Sequence, residues 1–267
     1  MSLPDAPDTR RARREARRKR AQRITVTGVL GELLLTAGLG TLAFMGWKYW
    51  LNDVIQGNEQ NSAGGELSQQ FEEEYEQAPD PELDEAGIPV RTTPTESAEP
   101  FAVLYVPAFG KDYSRTIATD ITQYGVLDHY VGYYMESDAP GAVGTFAVAG
   151  HRLAYGAPMQ NIPNLQVGDH AYVETVDGWY EYEYRSGEYV DPYEVSILSD
   201  VPRYPDETSS DRILLMMTCN PIYSVAERVV SYSVFVDFTP RSEGAPDEIA
   251  DVVNERTAND GQDTGRE

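Results

Sequence analysis

Apolar and polar positions change texture several times along the chain. From Ile24 to Trp47 (ITVTGVLGELLLTAGLGTLAFMGW) apolar residues run almost unbroken, with Glu32 as the only charge. At 1.5 Å per residue these 24 residues reach roughly 36 Å, enough to cross a hydrocarbon layer of about 30 Å with some tilt. The pattern predicts a transmembrane helix, closed by an interfacial belt of Trp47, Tyr49 and Trp50. A cleaved signal peptide is the alternative, but the run is longer than a usual signal core and no A-x-A-like site closes it.

From Asn52 to Pro100 the pattern collapses into Glu, Gln, Ser, Pro and Gly, with too little apolar surface to fold alone. This predicts an unstructured acidic stalk, although Phe71 and Tyr75, four apart, could form one helical turn that docks on a neighbour. A similar acidic tail follows Pro240.

Between them lie short β-branched and aromatic runs: FAVLYVPAF, SRTIAT, GTFAVAGH, HAYVETV, WYEYEYRSGEYV, VSIL, RILLMMTC and RVVSYSVFVDF. Turn residues separate them, as at Gly168-Asp169, Asp177-Gly178, Ser186-Gly187 and Asn220-Pro221. Eight such runs in about 140 residues predict a mainly β fold, an eight-stranded β-barrel with short helices. The alternating tyrosines of WYEYEYRSGEY fit a half-buried strand better than a carbohydrate platform. Ile121 to Met135 (ITQYGVLDHYVGYYM) is the best candidate for a helix across one barrel mouth. The expected division is a basic segment 1–23, an anchor 24–50, an acidic stalk 51–100, a folded β domain 101–240 and an acidic disordered tail 241–267.

Charge refines this picture. Arg10 to Arg23 holds nine of the 21 Lys and Arg residues against the single acid Glu15, although the chain as a whole carries a net −23. Basic residues beside a membrane span set topology, which predicts a single-pass anchor with a cytoplasmic N-terminus and an extracellular β domain. Nucleic acid is excluded as a partner, because the acidic remainder would repel phosphate. The acids lack a calcium-loop spacing such as D-x-D-x-D-G, so no metal site is assigned and no cofactor is implied.

The chain has one cysteine, Cys219, which rules out an intrachain disulfide in an oxidising compartment. It ends the apolar run ILLMMTC before Asn-Pro, where a buried strand emerges into a turn. A core cysteine without a role is the plain alternative. Nucleophilic cysteine chemistry needs a group that favours thiolate and later protonates a leaving amine, and imidazole does both. Of His129, His151 and His170, His151 is placed best, closing GTFAVAG at its own strand-to-loop transition. No histidine follows Cys219, which excludes the papain-like order. Arg228 lies nine residues after Cys219 at the start of the last strand run, so paired strands could present both side chains at one end. Its permanent charge suits a developing oxyanion or a substrate carbonyl.

AGHR, Thr218-Cys219 and the following Arg228 resemble the pattern of sortases, over about Phe101 to Phe238. AGHRLAYGAP and TCNP look most like class E, while Met216 and Met217 stand where many relatives carry a smaller or polar residue. The resemblance implies that 101–240 is a sortase catalytic domain in which Cys219 attacks the Thr carbonyl of an LAXTG- or LPXTG-like motif. It implies His151 as acid and base, Arg228 as oxyanion donor or motif clamp, and Thr218 and Tyr155 as substrate contacts, Tyr155 favouring Ala over Pro in the motif. The implied partners are surface proteins with C-terminal sorting signals and the amine of a lipid-linked peptidoglycan precursor. Two other classes stay open on the residues alone: a catalytically silent anchored barrel that binds a surface protein or glycan, and a cysteine peptidase whose acceptor is water.

Overall fold

A computed structural model describes residues 25–260. The expected basic segment 1–23, Ile24 and the last residues, 261–267, lie outside the described residues. The chain divides into two compact units, 1–49 and 50–267. The first carries helix α1 (Val26–Gly46), 21 residues whose first turn is capped by the Thr25 hydroxyl accepting the Gly28 N–H at 3.1 Å. None of its residues is buried, and it is long and apolar enough to cross a membrane.

The second unit is built on eight strands: β1 (Pro100–Tyr105), β2 (Ser114–Thr119), β3 (Val131–Tyr133), β4 (Gly144–Ala149), β5 (His170–Thr175), β6 (Gly178–Val190), β7 (Arg212–Asn220) and β8 (Glu227–Pro240). They close into a barrel in the order β1-β2-β3-β4-β7-β8-β6-β5, with β5 pairing back onto β1. The β2–β3 and β4–β7 pairs are parallel and the others antiparallel. Because side chains alternate across a strand, each strand gives one set to the interior and one to the outer wall. The interior holds Leu104, Ile117, Tyr133, Phe146, Tyr182, Leu214 and Met216. Two further apolar clusters lie on the outer wall, so several strands are buried on both faces and read as continuous apolar runs.

One outer cluster is covered by helices α2 (Asn52–Tyr75) and α3 (Ala250–Asp260), which occupy much of what the sequence suggested was disordered stalk and tail. The reason is that α2 docks through small residues. Its buried positions are Gly57, Gly64, Gly65, Ser68 and Phe71, a helical stripe that a search for apolar periodicity passes over. A Cβ on Gly64 would sit 2.9 Å from Ser114 Oγ, so glycine lets the helix backbone approach β2 directly. Each helical glycine costs about 0.5–1 kcal/mol, which docking must offset. The anchor lies at the other end: Phe71 packs with Val103, Tyr105 and Trp179, with Ile249 just before α3 and with Val252 and Val253 in its first turn. Beneath it, Glu174 is fully buried, accepting from Ser68 Oγ at 2.8 Å, Tyr105 OH at 2.6 Å and Arg241 Nη2 at 2.8 Å. A buried carboxylate held by three donors fixes register, because a shift of the helix would take Ser68 off it.

Two local expectations change. Ile121 to Met135 is not a helix: only a single turn, Gln123–Leu127, forms, broken by non-helical Tyr124 and Gly125, and Val131–Tyr133 then joins β2 as β3. Gly132 is required there, since a Cβ would lie 2.6 Å from the Asp120 carbonyl oxygen. VSIL is a 3₁₀ turn (Val195–Leu198) capped by Glu194, with Ile197 inserted into the other outer cluster. Eight strands therefore form as expected in number, with VGY taking the place of VSIL.

Candidate active site

The parallel β4–β7 ladder pairs Ala149 with Met217 and continues through the Gly150 N–H, which donates to Met217 O at 3.1 Å. The Thr218 hydroxyl then donates to Gly150 O at 2.7 Å. Two backbone steps beyond the last pair, His151 and Cys219 emerge side by side at the barrel rim. Strand alternation fixes the face: Leu215, Met217 and Cys219 share the outer wall, whereas Leu214 and Met216 fill the interior. Across the antiparallel β7–β8 pair Cys219 stands opposite Arg228, and directly opposed residues project to the same face. The three residues singled out in the sequence thus meet on the outside of the barrel, at the end of β4, the end of β7 and the start of β8.

Here an open groove of about 470 Å³ runs between His151–Leu153, the half-buried Cys219, Pro221 and Tyr223–Val225. Arg152 Nη1 donates to Cys219 O at 3.3 Å and to Asn220 Oδ1, clamping the turn that carries the thiol to the loop that carries the imidazole. Arg228 Nη1 donates to Val225 O and Glu227 O, both at 3.0 Å. The rest of its planar fork has no protein partner among the described residues. Of the other histidines, His129 is exposed on the β2–β3 connection, and His170 pairs with Glu181 and Glu248 at 3.0 and 3.2 Å.

His151 is held between two groups. Its Nε2 faces Asp128 Oδ1 at 3.5 Å, and neither buried atom has a hydrogen-bond partner. A carboxylate at that distance orients the ring. Against one face of the ring, Tyr155 stacks at 4.9 Å between centroids with planes 27° apart. The loop that brings Tyr155 back is unusual: Ala154, Tyr155, Gly156 and Ala157 have φ of 61°, 51°, 74° and 44°. Left-handed backbone costs on the order of 1–2 kcal/mol at each non-glycine residue, so surrounding contacts must hold this turn. Its ends are tied by Ala157 N–H to Ala154 O at 2.8 Å and Met159 N–H to His151 O at 3.0 Å.

Two residues of this neighbourhood escape the sequence reading, Asp128 and Tyr134. Both lie in the stretch read as a helix, where an acid among apolar residues was the one available signal. Tyr134 belongs to the outer cluster with Ala149 and Met217. Burial pushes its phenol up, the Arg228 charge draws it down and Cys219 adds to the rise. Thr218, expected in the substrate groove, is instead 2% exposed and spends its hydroxyl on Gly150. Met216 is in the interior and Met217 forms the wall behind Cys219, so their apolar character serves packing.

A family model described as a sortase domain matches residues 104–236. The chain is 30% identical over 255 residues to Sortase SrtE1 of Streptomyces coelicolor, spanning 92% of this chain and 68% of that protein. Sortase SrtE2 of the same organism is 27% identical over 235 residues, 85% of this chain and 87% of that protein. Among solved structures, the SrtA sortase from Actinomyces oris superposes with a TM-score of 0.57 at 30% identity, covering 62% of this chain and 94% of that one. Sortase E1 from Streptomyces coelicolor, with a tripeptide in its active site, gives 0.53 at 33% identity over 57% and 96% of the two chains.

Proposed function

This chain belongs to the sortase family of cysteine transpeptidases and is most like its class E members, and from that premise we propose that Cys219, His151 and Arg228 carry the reaction. The carrying observation is the register that sets Cys219 opposite Arg228 on the outer wall, with His151 ending the parallel neighbour of the same strand. The substrate is an extended LAXTG- or LPXTG-like motif laid along the groove; a tripeptide occupies the active site of the Streptomyces coelicolor sortase E1 structure. The Cys219 thiolate attacks the Thr carbonyl, and the oxyanion is met by the unpaired part of the Arg228 fork. Collapse of the tetrahedral species breaks the Thr–Gly bond as protonated His151 gives its proton to the leaving glycine amine, leaving a thioester on Cys219. An incoming amine loses a proton to His151, attacks the thioester and regenerates the thiolate. Asp128 orients the imidazole through Nε2, and Tyr134 supports the Arg228–Cys219 side of the site.

In this reading residues 101–240 are the catalytic domain, and 24–50 anchor it with the N-terminus in the cytoplasm and the enzyme at the outer surface. The acceptor is the amine of a lipid-linked peptidoglycan precursor, and the donors are surface proteins with C-terminal sorting signals. The test is incubation with Leu-Ala-x-Thr-Gly and Leu-Pro-x-Thr-Gly peptides, with and without an amine, read by mass spectrometry. Amine-dependent product joined at Thr is expected; hydrolysis unaffected by amine would reassign the enzyme as a peptidase. Tyr155 sets the preference for Ala, because its hydroxyl can meet a peptide N–H that Pro lacks. Tyr155→Phe keeps the ring on His151 and removes one hydrogen bond of about 0.5–1.5 kcal/mol, so the Ala-over-Pro ratio of kcat/KM narrows roughly three- to tenfold. An unmoved ratio would leave Tyr155 as loop packing.

A further inference from the structure

We propose that helix α2 is a working part of this active site, in which Asp53 and Gln60 hold the left-handed Ala154–Ala157 turn and, through it, the Tyr155 ring on His151. The inference rests on the reading in which His151 moves the protons. Gln60 Nε2 donates to Tyr155 O at 2.9 Å, and Asp53 Oδ2 accepts from the Ala154 N–H at 3.1 Å. Between these two contacts the helix and the turn meet backbone to backbone. A Cβ on Gly156 would lie 2.7 Å from Gln60 Oε1 and 3.0 Å from Gly57 N, and a Cβ on Gly57 would lie 3.6 Å from Gly156 O. Burial pushes the Asp53 carboxyl up, an effect that the amides of Ala154 and Gly156 offset only in part.

The ends of the turn are tied to the turn itself and to the barrel, through His151 O, Ala154 O and the Tyr113 hydroxyl, which donates to Pro158 O at 2.9 Å. Its middle, where Tyr155 sits, is tied to α2. An unsupported run of left-handed residues relaxes towards ordinary backbone, and rotation at Tyr155 would lift its ring off the imidazole. Asp53 and Gln60 are therefore positioning residues. The far end of α2, fixed by Phe71 and the Glu174–Arg241 pair, keeps the helix in place whether or not the turn is gripped. A fragment that starts after α2 would keep Cys219, His151 and Arg228 yet lose the support of the turn.

The test uses the full chain in detergent micelles, with peptide and amine, and Gln60→Glu, Asp53→Ala and Asp53→Asn each in the wild-type and Tyr155→Ala backgrounds. Gln60→Glu is isosteric and sets a carboxylate against the Tyr155 carbonyl, so it should lower kcat/KM about tenfold with Tyr155 present and less than about twofold with Tyr155→Ala. Asp53→Ala should behave alike, while Asp53→Asn, which keeps an acceptor for the Ala154 N–H, should stay within about threefold of wild type. Thermal melts report whether each variant is folded. Equal losses in both backgrounds, or Gln60→Glu at the wild-type rate, would overturn the proposal while leaving the transpeptidase reading intact. A wild-type protein without Cys219-dependent transfer would overturn that reading and this inference together.

Discussion

The two faces of β4, β7 and β8 do different jobs with the same backbone. Inward, Phe146, Val148, Leu214, Met216 and Val229 build the barrel core. Outward, Ala147, Ala149, Leu215, Met217 and Val230 pack under the β6–β7 connection until the strand ends, where the next outward positions become His151, Cys219 and Arg228. A rigid interior therefore sets the spacing of half-buried groups on the other side, and strand alternation keeps the two roles on separate residues. Substitutions on the outer rim should cost rate with little stability, and substitutions on the inner face should cost stability with little rate.

The largest separation is expected at Cys219→Ala, which should reduce acyl transfer on the order of a thousandfold or more while the thermal midpoint barely moves; His151→Ala should come close to it. The mirror case is Leu214→Ala, on the same strand and fully buried, which should lower unfolding free energy by about 2–5 kcal/mol in denaturant titration yet leave kcat/KM per folded molecule nearly unchanged. Arg228→Lys should slow transfer roughly a hundredfold, because an ammonium cannot reproduce the directed fork; a rate within about threefold of wild type would remove Arg228 from the mechanism. Thr218→Val blurs the comparison by design, since this buried hydroxyl holds the peptide just before His151. It should cost about 1–2 kcal/mol of stability and also lower kcat/KM several-fold; a change in only one of the two would contradict its bridging place.

The strands were legible in the sequence because short β-branched and aromatic runs between turn residues announce them, and the candidate site was legible because Cys219 is single and His151 and Arg228 lie at strand ends. The rest lacked such signals. Helix α2 contacts the barrel through Gly57, Gly64, Gly65 and Ser68, residues that a hydrophobicity pattern counts as polar or breaking. β3 is only three residues long, too short to show a period, and its neighbours Asp128 and Tyr134 reach the site through tertiary placement alone. VSIL looked like a strand because Ile197 plugs the outer cluster from a turn. The sortase resemblance implies Thr218 as a substrate contact, whereas alternation turns it to the face opposite Cys219 and its hydroxyl is buried on Gly150.

The most direct test of the outward placement of a reactive thiol is intact-mass measurement of the full chain mixed with a Leu-Ala-x-Thr-Gly peptide in the absence of amine, followed by peptide mapping. The account predicts a mass gain equal to the peptide through Thr less one water, located on Cys219, discharged on adding amine and absent from Cys219→Ala. An adduct on another residue, or acyl transfer that persists in Cys219→Ala, would contradict it.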